Sequence, residues 1–280
     1  MNKVDCNNSY IPLEGYSNIF IHSGIKINKN GNFTQLPASH NPKNVFTFKY
    51  TEFQYLKQSL ERRFVYFARP NQWEDPFEQK FYEEEKEING QRYQVFCHCI
   101  TIHDKTNEEC LWKTYTNTHD GSGTSIVDRE FVRISYNMRN FYNALSTKQD
   151  YTFYMSAVNY VDRSCFFLEN PPEPNSIEEY LNLLCQKLSA YTYENEFRLF
   201  AVRQGEINDN EKGIMIDINY RDIIKQITLP PLKSNYNEAS ILKISIMAKY
   251  LRNNHVKFNV STLYDTENNT NTKKYKKIKI

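Results

Sequence analysis

The chain has 280 residues, of which 40% are hydrophobic and 24% charged, and its formal net charge at pH 7 is +2. These values predict a soluble globular protein with one large domain or two small ones. There are only 8 glycines and no GxGxxG or GxxxxGK[ST] pattern, which excludes the common glycine-rich phosphate loops. No apolar run approaches the roughly 18 residues that span a bilayer, and the N-terminus lacks the apolar stretch of a secretory signal. We therefore expect a cytoplasmic protein without membrane association.

The predicted elements follow the chain in order. Residues 1–44 are rich in Asn, Gly, Pro and Ser and are expected to form an irregular N-terminal segment. A core domain is predicted over 45–264. Its first half is predicted to contain a strand at 45–50, a helix at 52–61 capped by Thr51, a strand at 63–68, a loop at 71–78, a strand at 93–100, a helix at 108–115 and a strand at 124–127.

The second half of the core domain is predicted to contain two helices. Ser176 with Glu179 three residues later is a capping-box pattern, which predicts a helix running to about Ala190. The other predicted elements are a strand at 151–161, a surface loop at 170–174, strands at 197–202, 214–218 and 223–229, a helix at 237–253 and a strand at 256–263. Strands outnumber helices without strict alternation, so we predict an α+β fold, a single domain with a central mixed or antiparallel sheet flanked by helices.

Two sequence features suggest a metal site or a nucleic-acid contact, and each has a simpler explanation. Cys97-His98-Cys99 lies on a predicted strand, where alternate residues share a face, so the two thiols point away from His98 and no metal site is expected. The six cysteines are expected to be reduced. Residues 265–280 are Lys-rich and are expected to form a disordered basic tail, with a weak nucleic-acid contact as the alternative.

A Glu-x-Glu-x-Arg pattern is the strongest candidate for chemistry. Glu194, Glu196 and Arg198 alternate just before and into an apolar strand, which predicts that their side chains share one face. Neighbouring carboxylates repel, so the pKa of one is expected to rise and suit proton transfer, while Arg198 holds the other ionised. A solvated strand end with a Glu–Arg ion pair is the alternative.

The motif order resembles that of ADP-ribosyltransferases of the Arg–Ser–Glu type. Lys49, Thr124-Ser125 and Glu194-Asn195-Glu196 occur in that order, although Lys replaces the usual Arg and Gly-Thr-Ser the usual Ser-Thr-Ser. The resemblance implies that Lys49 binds pyrophosphate, Ser125 braces the glutamate, and Glu196 stabilises the oxocarbenium-like state formed when NAD is cleaved. NAD is then a substrate, and no tightly bound cofactor is expected.

Further candidate binding residues are polar or aromatic. Asp75 and Glu78, in Asp-Pro-Phe-Glu, are expected at the mouth of a pocket, or alternatively in a rigid loop with Asp75 capping a turn. Aromatic rings for stacking on nicotinamide are Trp112, Tyr115 or Tyr50, with burial in the core as the alternative. His119 lies in a predicted loop, where an exposed histidine is available for function.

The order of short motifs over about 150 residues also resembles a bacterial family, domain-of-unknown-function family 2971. The matching positions are Lys49, Tyr50, Asp75, Pro76, Phe77, Glu78, Trp112, Tyr115, Gly121, Glu194, Glu196 and Arg198. The resemblance implies a compact α+β domain and a cytoplasmic effector, a toxin or anti-phage (antiviral) defence protein. Compatible partners are NAD, a protein or nucleic-acid target and an inhibitory partner.

Two other functions fit the same residues. One is a metal-dependent nuclease that holds Mg²⁺ with carboxylates from Asp75, Glu78, Glu194 and Glu196, which requires at least two of them close together and a lysine nearby. The other is a non-enzymatic module that binds a partner through its aromatic residues and basic tail.

Overall fold

The structure is a computed structural model that describes residues 25–26, 47–73, 75–83, 85–102, 108–116, 118–119, 125–126, 130–163, 173–205, 211–231 and 238–263. It confirms the predicted α+β class, with a large mixed sheet flanked by helices. The predicted basic tail at 265–280 lies outside the described residues, as does nearly all of the N-terminal segment.

The helices and strands are labelled in chain order. The α-helices are Phe53–Arg62 (α1), Pro76–Gln79 (α2), Glu108–Thr116 (α3), Met138–Ser146 (α4), Ile177–Leu183 (α5), Tyr220–Ile223 (α6) and Glu238–Asn253 (α7). The strands are Ile25–Lys26 (β1), Thr47–Glu52 (β2), Phe64–Ala68 (β3), Lys86–Ile88 (β4), Gln91–Ile102 (β5), Thr118–His119 (β6), Ser125–Ile126 (β7), Phe131–Tyr136 (β8), Thr152–Ala157 (β9), Asn159–Val161 (β10), Gln186–Leu188 (β11), Glu196–Gln204 (β12), Gly213–Asp217 (β13), Ile224–Leu229 (β14) and Phe258–Val260 (β15). Short 3-10 helices lie at Pro70–Gln72 and Ser189–Glu194.

The chain divides into two compact units that alternate along the sequence. The first unit comprises residues 1–45, 65–102 and 142–218, and the second comprises 46–64, 103–141 and 219–280. The chain crosses between them repeatedly, so no single point in the sequence separates the two units.

In the first unit, β12 is the central strand. It pairs antiparallel with β5 on one side and with β9 on the other. Because both of its edges are covered and its side chains pack on both faces, the seven residues from Glu196 to Val202 are all buried. Strands β3 and β4 also pair with β5, and β10 pairs parallel with β11 in a separate two-stranded sheet. This buried central strand begins with the Glu-x-Arg half of the candidate motif.

In the second unit, the sheet runs in the order β2-β8-β14-β15. The first two pairings are antiparallel, and β14 pairs parallel with β15. Phe53, Leu56 and Leu60 of α1 are buried, as their helical spacing predicts. One face of α7 buries a second set of apolar side chains, namely Ile244, Met247, Ala248 and Leu251.

Two predicted helix boundaries are wrong. Thr51 does not cap α1, because β2 continues through it and Glu52 occupies the N-cap position without a side-chain hydrogen bond. The helix predicted from Ser176 to about Ala190 ends at Leu183 and is followed by β11 and a 3-10 helix. Its start is correct, since the Ser176 hydroxyl accepts a hydrogen bond from the Glu179 backbone N–H at 3.2 Å. Pairing with β10 stabilises 186–188 as a strand, which helix propensity alone does not reveal.

No helix in the described part of the chain is long and apolar enough to cross a membrane.

Candidate functional site

Five charged side chains meet in the interior of the first unit, and we call them the charged cluster. Its members are Glu78 (5% exposed), Lys187 (7%), Glu194 (8%), Glu196 (6%) and Arg198 (1%). Ionised side chains are rarely buried unless they are paired, because removing a charge from water is costly. The pairing within the cluster therefore determines both its stability and its chemistry.

Four short elements supply the charged cluster. Asp75 caps α2, accepting a hydrogen bond from the Phe77 backbone N–H at 2.8 Å, and α2 carries Glu78. Strand β11 carries Lys187, the 3-10 helix at Ser189–Glu194 ends with Glu194, and β12 carries Glu196 with Arg198. The predicted role of Asp75 as a turn cap is thus confirmed.

A turn, and not the predicted strand geometry, places Glu194 in the cluster. Strand geometry begins only at Glu196, and Asn195 between the two glutamates has a positive φ of 43°. Asparagine is one of the few residues that tolerates this left-handed conformation. The turn at Asn195, and not strand alternation, brings Glu194 and Glu196 to the same ammonium group.

Arg198 forms the innermost part of the cluster. Its Nε donates to Glu196 Oε1 at 2.9 Å, its Nη2 donates to Glu78 Oε2, and its Nη1 donates to the backbone carbonyl of Leu184. The indole ring of Trp73 stacks on the guanidinium, with 3.9 Å between the guanidinium carbon and the ring centroid. Arg198 thus binds two carboxylates at once. The sequence predicts its pairing with one glutamate of the Glu-x-Glu motif but not its pairing with Glu78.

Lys187 forms the outer part of the cluster and contacts all three glutamates. Its Nζ lies 2.7 Å from Glu194 Oε2, 3.0 Å from Glu196 Oε2 and 3.1 Å from Glu78 Oε1. The ring of the half-buried Tyr191 lies over the same ammonium, 5.0 Å from its centroid. Both oxygens of Glu78 and of Glu196 are therefore engaged by Lys187 or Arg198, whereas Glu194 Oε1 accepts no hydrogen bond from the described residues.

The pKa values of the two neighbouring glutamates, Glu194 and Glu196, are shifted in opposite directions. Burial raises the pKa of Glu194 to about 7: Lys187 opposes this rise, but repulsion from Glu196 and Glu78 adds to it. Burial also acts on Glu196, but the charges of Arg198 and Lys187 outweigh it and lower the pKa of Glu196 to about 2. Such a separation of pKa values is the usual arrangement when one carboxyl exchanges protons and its neighbour stays ionised.

These pKa values predict how stability depends on pH. A glutamate in an unfolded chain has a pKa of about 4.3. Between that value and about 7 the folded protein holds the Glu194 proton more tightly, so stability should fall as the pH rises through this interval. Glu196 gives the opposite pH dependence: its contribution to stability is present above about pH 4.3 and is lost as the pH falls towards 2.

We expect Glu194→Gln to remove the decline above about pH 4.3. The variant's free energy of unfolding, relative to wild type, should rise by up to about 3 kcal/mol between about pH 5 and about pH 8. Urea denaturation at both pH values measures this difference. Glu87→Gln, at an exposed position, is the matched control and should show no such rise. An equal response of the two variants would contradict the assignment.

Cys97 and Cys185, two cysteines beside the cluster, are thiols with little nucleophilic character. Cys97 and Cys99 share a face of β5, with 3.7 Å between their sulfurs, while His98 Nδ1 lies 2.9 Å from the Tyr66 carbonyl. The predicted alternation is therefore confirmed. Burial raises the pKa of Cys97 and raises the pKa of Cys185 to about 12, which keeps both protonated at neutral pH. Among the described residues no group of His, Cys, Asp and Glu is arranged to hold a metal ion.

Two aromatic candidates, Tyr50 and Trp112, lie in the second unit. Both rings are buried and meet edge to face with 5.0 Å between centroids. Trp112 Nε1 donates to Glu108 Oε1 at 3.3 Å, and the same oxygen lies 2.9 Å from Arg133 Nη1. This arrangement is that of core residues with a satisfied indole N–H, so we do not include these rings in the proposed site.

The remaining sequence candidates also belong to the second unit. Lys49 is a half-buried residue of β2. His119 and Ser125 are directly paired in register on β6 and β7, and Tyr115 lies on α3. The side chains of His119, Ser125 and Tyr115 lie outside the described part of the structure.

Lys187 is the one member of the charged cluster that sequence reasoning missed. Lys187 lies within the region that was predicted as helix, where a lone lysine is expected to be exposed to solvent. A useful signal was its flanking pattern: Cys185 and Leu188 are apolar, and the chain returns to Glu-x-Glu within ten residues.

No family model matches the chain, and no curated protein matches it.

Proposed function

We propose that the chain is an NAD-consuming, ADP-ribosyltransferase-like effector that cleaves the nicotinamide–ribose bond, with a role as a bacterial toxin or anti-phage defence protein. The observation that carries this proposal is the pair Glu194 and Glu196, which share the Lys187 ammonium but have pKa values of about 7 and about 2. The proposal concerns the first unit alone.

Glu194 is the proposed catalytic residue. Its Oε1 accepts no hydrogen bond from the described residues, so a substrate would not have to displace a hydrogen bond to contact this oxygen. When the bond between ribose C1′ and the nicotinamide nitrogen breaks, its electron pair leaves with nicotinamide and positive charge develops on the ribose. An ionised Glu194 next to that charge stabilises it electrostatically. When water or another nucleophile then attacks C1′, its proton passes to Glu194.

Glu196 supports this chemistry from the interior. Both of its oxygens are engaged by Arg198 and Lys187, so its charge is fixed at neutral pH. That fixed charge repels the Glu194 anion and contributes to the raised pKa of Glu194, which lets this carboxyl exchange protons near neutral pH. The sequence motif points to Glu196 as the residue in contact with substrate, whereas the geometry favours Glu194 for that contact.

One observation favours the nuclease alternative, since three carboxylates meet around a lysine as that function requires. However, the oxygens of Glu78 and Glu196 already contact Lys187 or Arg198. A Mg²⁺ ion would have to displace these contacts before carboxylate oxygens became available to it. The NAD-cleaving function needs no such rearrangement, and we therefore favour it.

The test of the proposed function is nicotinamide release from NAD by the purified full-length protein. The reaction is run with and without nucleic acid, and parallel samples measure DNA and RNA cleavage with Mg²⁺. Release that Glu194→Gln abolishes, with circular dichroism unchanged, would support the proposal. Nucleic-acid cleavage without nicotinamide release would support the nuclease, and the absence of both activities would favour a partner-binding module.

A further inference from the structure

We infer that Lys187 is the positioning residue of this site: it holds Glu78, Glu194 and Glu196 on one ammonium and thereby sets the pH at which Glu194, the surplus carboxyl group, exchanges its proton. The inference deepens the proposed function, because it concerns the residue that sets the protonation state of the catalytic carboxyl.

The Lys187 ammonium is surrounded by carboxylate oxygens. Three carboxylate oxygens lie 2.7–3.1 Å from Lys187 Nζ, which matches the three N–H donors of a lysine ammonium. The contact to Glu194 is the shortest of the three, and Glu194 has no other hydrogen-bond donor among the described residues. Glu196 and Glu78 also contact Arg198, so the removal of Lys187 leaves these two glutamates sharing one cation but leaves Glu194 no cation among the residues that the structure describes.

Backbone pairing of β11 fixes the position from which the Lys187 side chain extends. Strand β11 pairs parallel with β10, and Lys187 is in register with Tyr160. The Tyr160 hydroxyl accepts a hydrogen bond from the backbone N–H of Glu196 at 2.9 Å. Lys187 and Tyr160 therefore approach the start of β12 together from neighbouring strands, so the ammonium is held in place by backbone pairing.

Burying the charged cluster is costly in free energy. A buried ion pair is often no more stabilising than well-packed apolar residues of similar volume. Placing five charges in the interior, with one glutamate more than the cations can neutralise, is therefore poorly explained by stability alone. An arrangement in which the surplus carboxyl keeps an exchangeable proton accounts for the odd number of charges.

Several other groups surround Glu194, and a test must separate their effects from that of Lys187. The groups that act on Glu194 directly are Glu196 on β12, Glu78 on α2, Tyr160 on β10 and Tyr191 on the same 3-10 helix. Arg198 contacts Glu196 and Glu78, and Asp75 acts on Tyr191. All of them remain in place when Lys187 alone is replaced.

The experiment is ¹³C NMR titration of the full-length protein labelled at the glutamate side-chain carboxyls, with the Glu194 resonance assigned by its loss in Glu194→Gln. In Lys187→Met, burial and the repulsion from Glu196 and Glu78 persist without the opposing cation. We expect the Glu194 midpoint to move upward by about one pH unit or more. Lys187→Arg restores the cation and should return the midpoint towards the wild-type value. An unchanged midpoint in Lys187→Met would overturn the inference.

A second pair of variants covers the case in which Lys187→Met does not fold. Lys187→Met combined with Glu78→Gln removes one charge of each sign, and Glu78→Gln alone is its reference. The upward shift should appear between these two proteins, and its absence there would also overturn the inference. Because the titration needs no turnover, a protein that does not cleave NAD would remove the proposed function while leaving this test intact.

If the protein does cleave NAD, the two readouts should agree. Turnover by Lys187→Met should be low near neutral pH and recover at higher pH, parallel to the shifted Glu194 midpoint. A purely structural role of Lys187 would lower turnover equally at every pH, and that result would contradict the inference.

Discussion

Replacing Arg198 with methionine should lower the free energy of unfolding by about 3–5 kcal/mol, among the largest effects of any single substitution in this chain. The guanidinium is buried and donates hydrogen bonds to Glu196 and Glu78. Its removal leaves these carboxylates with Lys187 as their common cation, which also contacts Glu194. An uncompensated buried charge costs far more than the net stabilisation contributed by the original pair.

Urea denaturation at neutral pH measures this loss. Arg92→Met, at an exposed position with a long ion pair of 3.8 Å, is the control, and we expect it to change stability by less than about 0.5 kcal/mol. Adding Glu196→Gln to Arg198→Met should recover part of the loss, because one stranded charge is then removed. A loss below about 1 kcal/mol for Arg198→Met would mean that the cluster is open to water.

Glu194→Gln should reduce the proposed NAD cleavage by about 100-fold to 10,000-fold while keeping or increasing stability at neutral pH. Glutamine has nearly the same shape as glutamate but neither stabilises positive charge as an anion nor accepts the proton of the attacking nucleophile. Glu196→Gln should also reduce activity, but for another reason and with another signature. It leaves Arg198 and Lys187 less fully paired and should therefore lower stability as well.

Measuring kcat/KM and the free energy of unfolding on the same preparations separates the two roles. The expected pattern is loss of activity alone for Glu194→Gln, and loss of both for Glu196→Gln. Full activity in Glu194→Gln together with an inactive, stable Glu196→Gln would reverse the assignment and return Glu196 to direct contact with substrate.

The sequence contained much of this site because its chemistry is concentrated in one short motif. Glu194, Glu196 and Arg198 are costly residues next to an apolar strand, and their spacing indicated a shared environment. The ion pair between Arg198 and Glu196 and the separation of the glutamate pKa values follow from charge and burial. Asp75 next to Pro76 likewise predicted that Asp75 is not helical and can cap a turn, and Asp75 caps α2, although residues 71–78 were predicted as a loop.

The remainder depended on tertiary pairing. Helix propensity continued past Leu183, but pairing with β10 makes 186–188 a strand and turns Lys187 inward. Glu78 is 120 positions from Arg198 in the chain, and no local pattern predicts that they meet. In the sequence, Trp112 and Tyr50 cannot be distinguished from aromatic residues that stack on a ligand, but their burial shows that they are core residues.

The chemistry proposed for the charged cluster depends on widely separated pKa values of the neighbouring Glu194 and Glu196. The most direct measurement is a ¹³C NMR titration of the wild-type side-chain carboxyls, with Glu194→Gln and Glu196→Gln used to assign the two resonances. We predict that the Glu194 carboxyl titrates with a pKa of about 7 and that the Glu196 carboxyl stays ionised down to about pH 2. Titration of both carboxyls near about pH 4.3, the ordinary value for glutamate, would contradict the account.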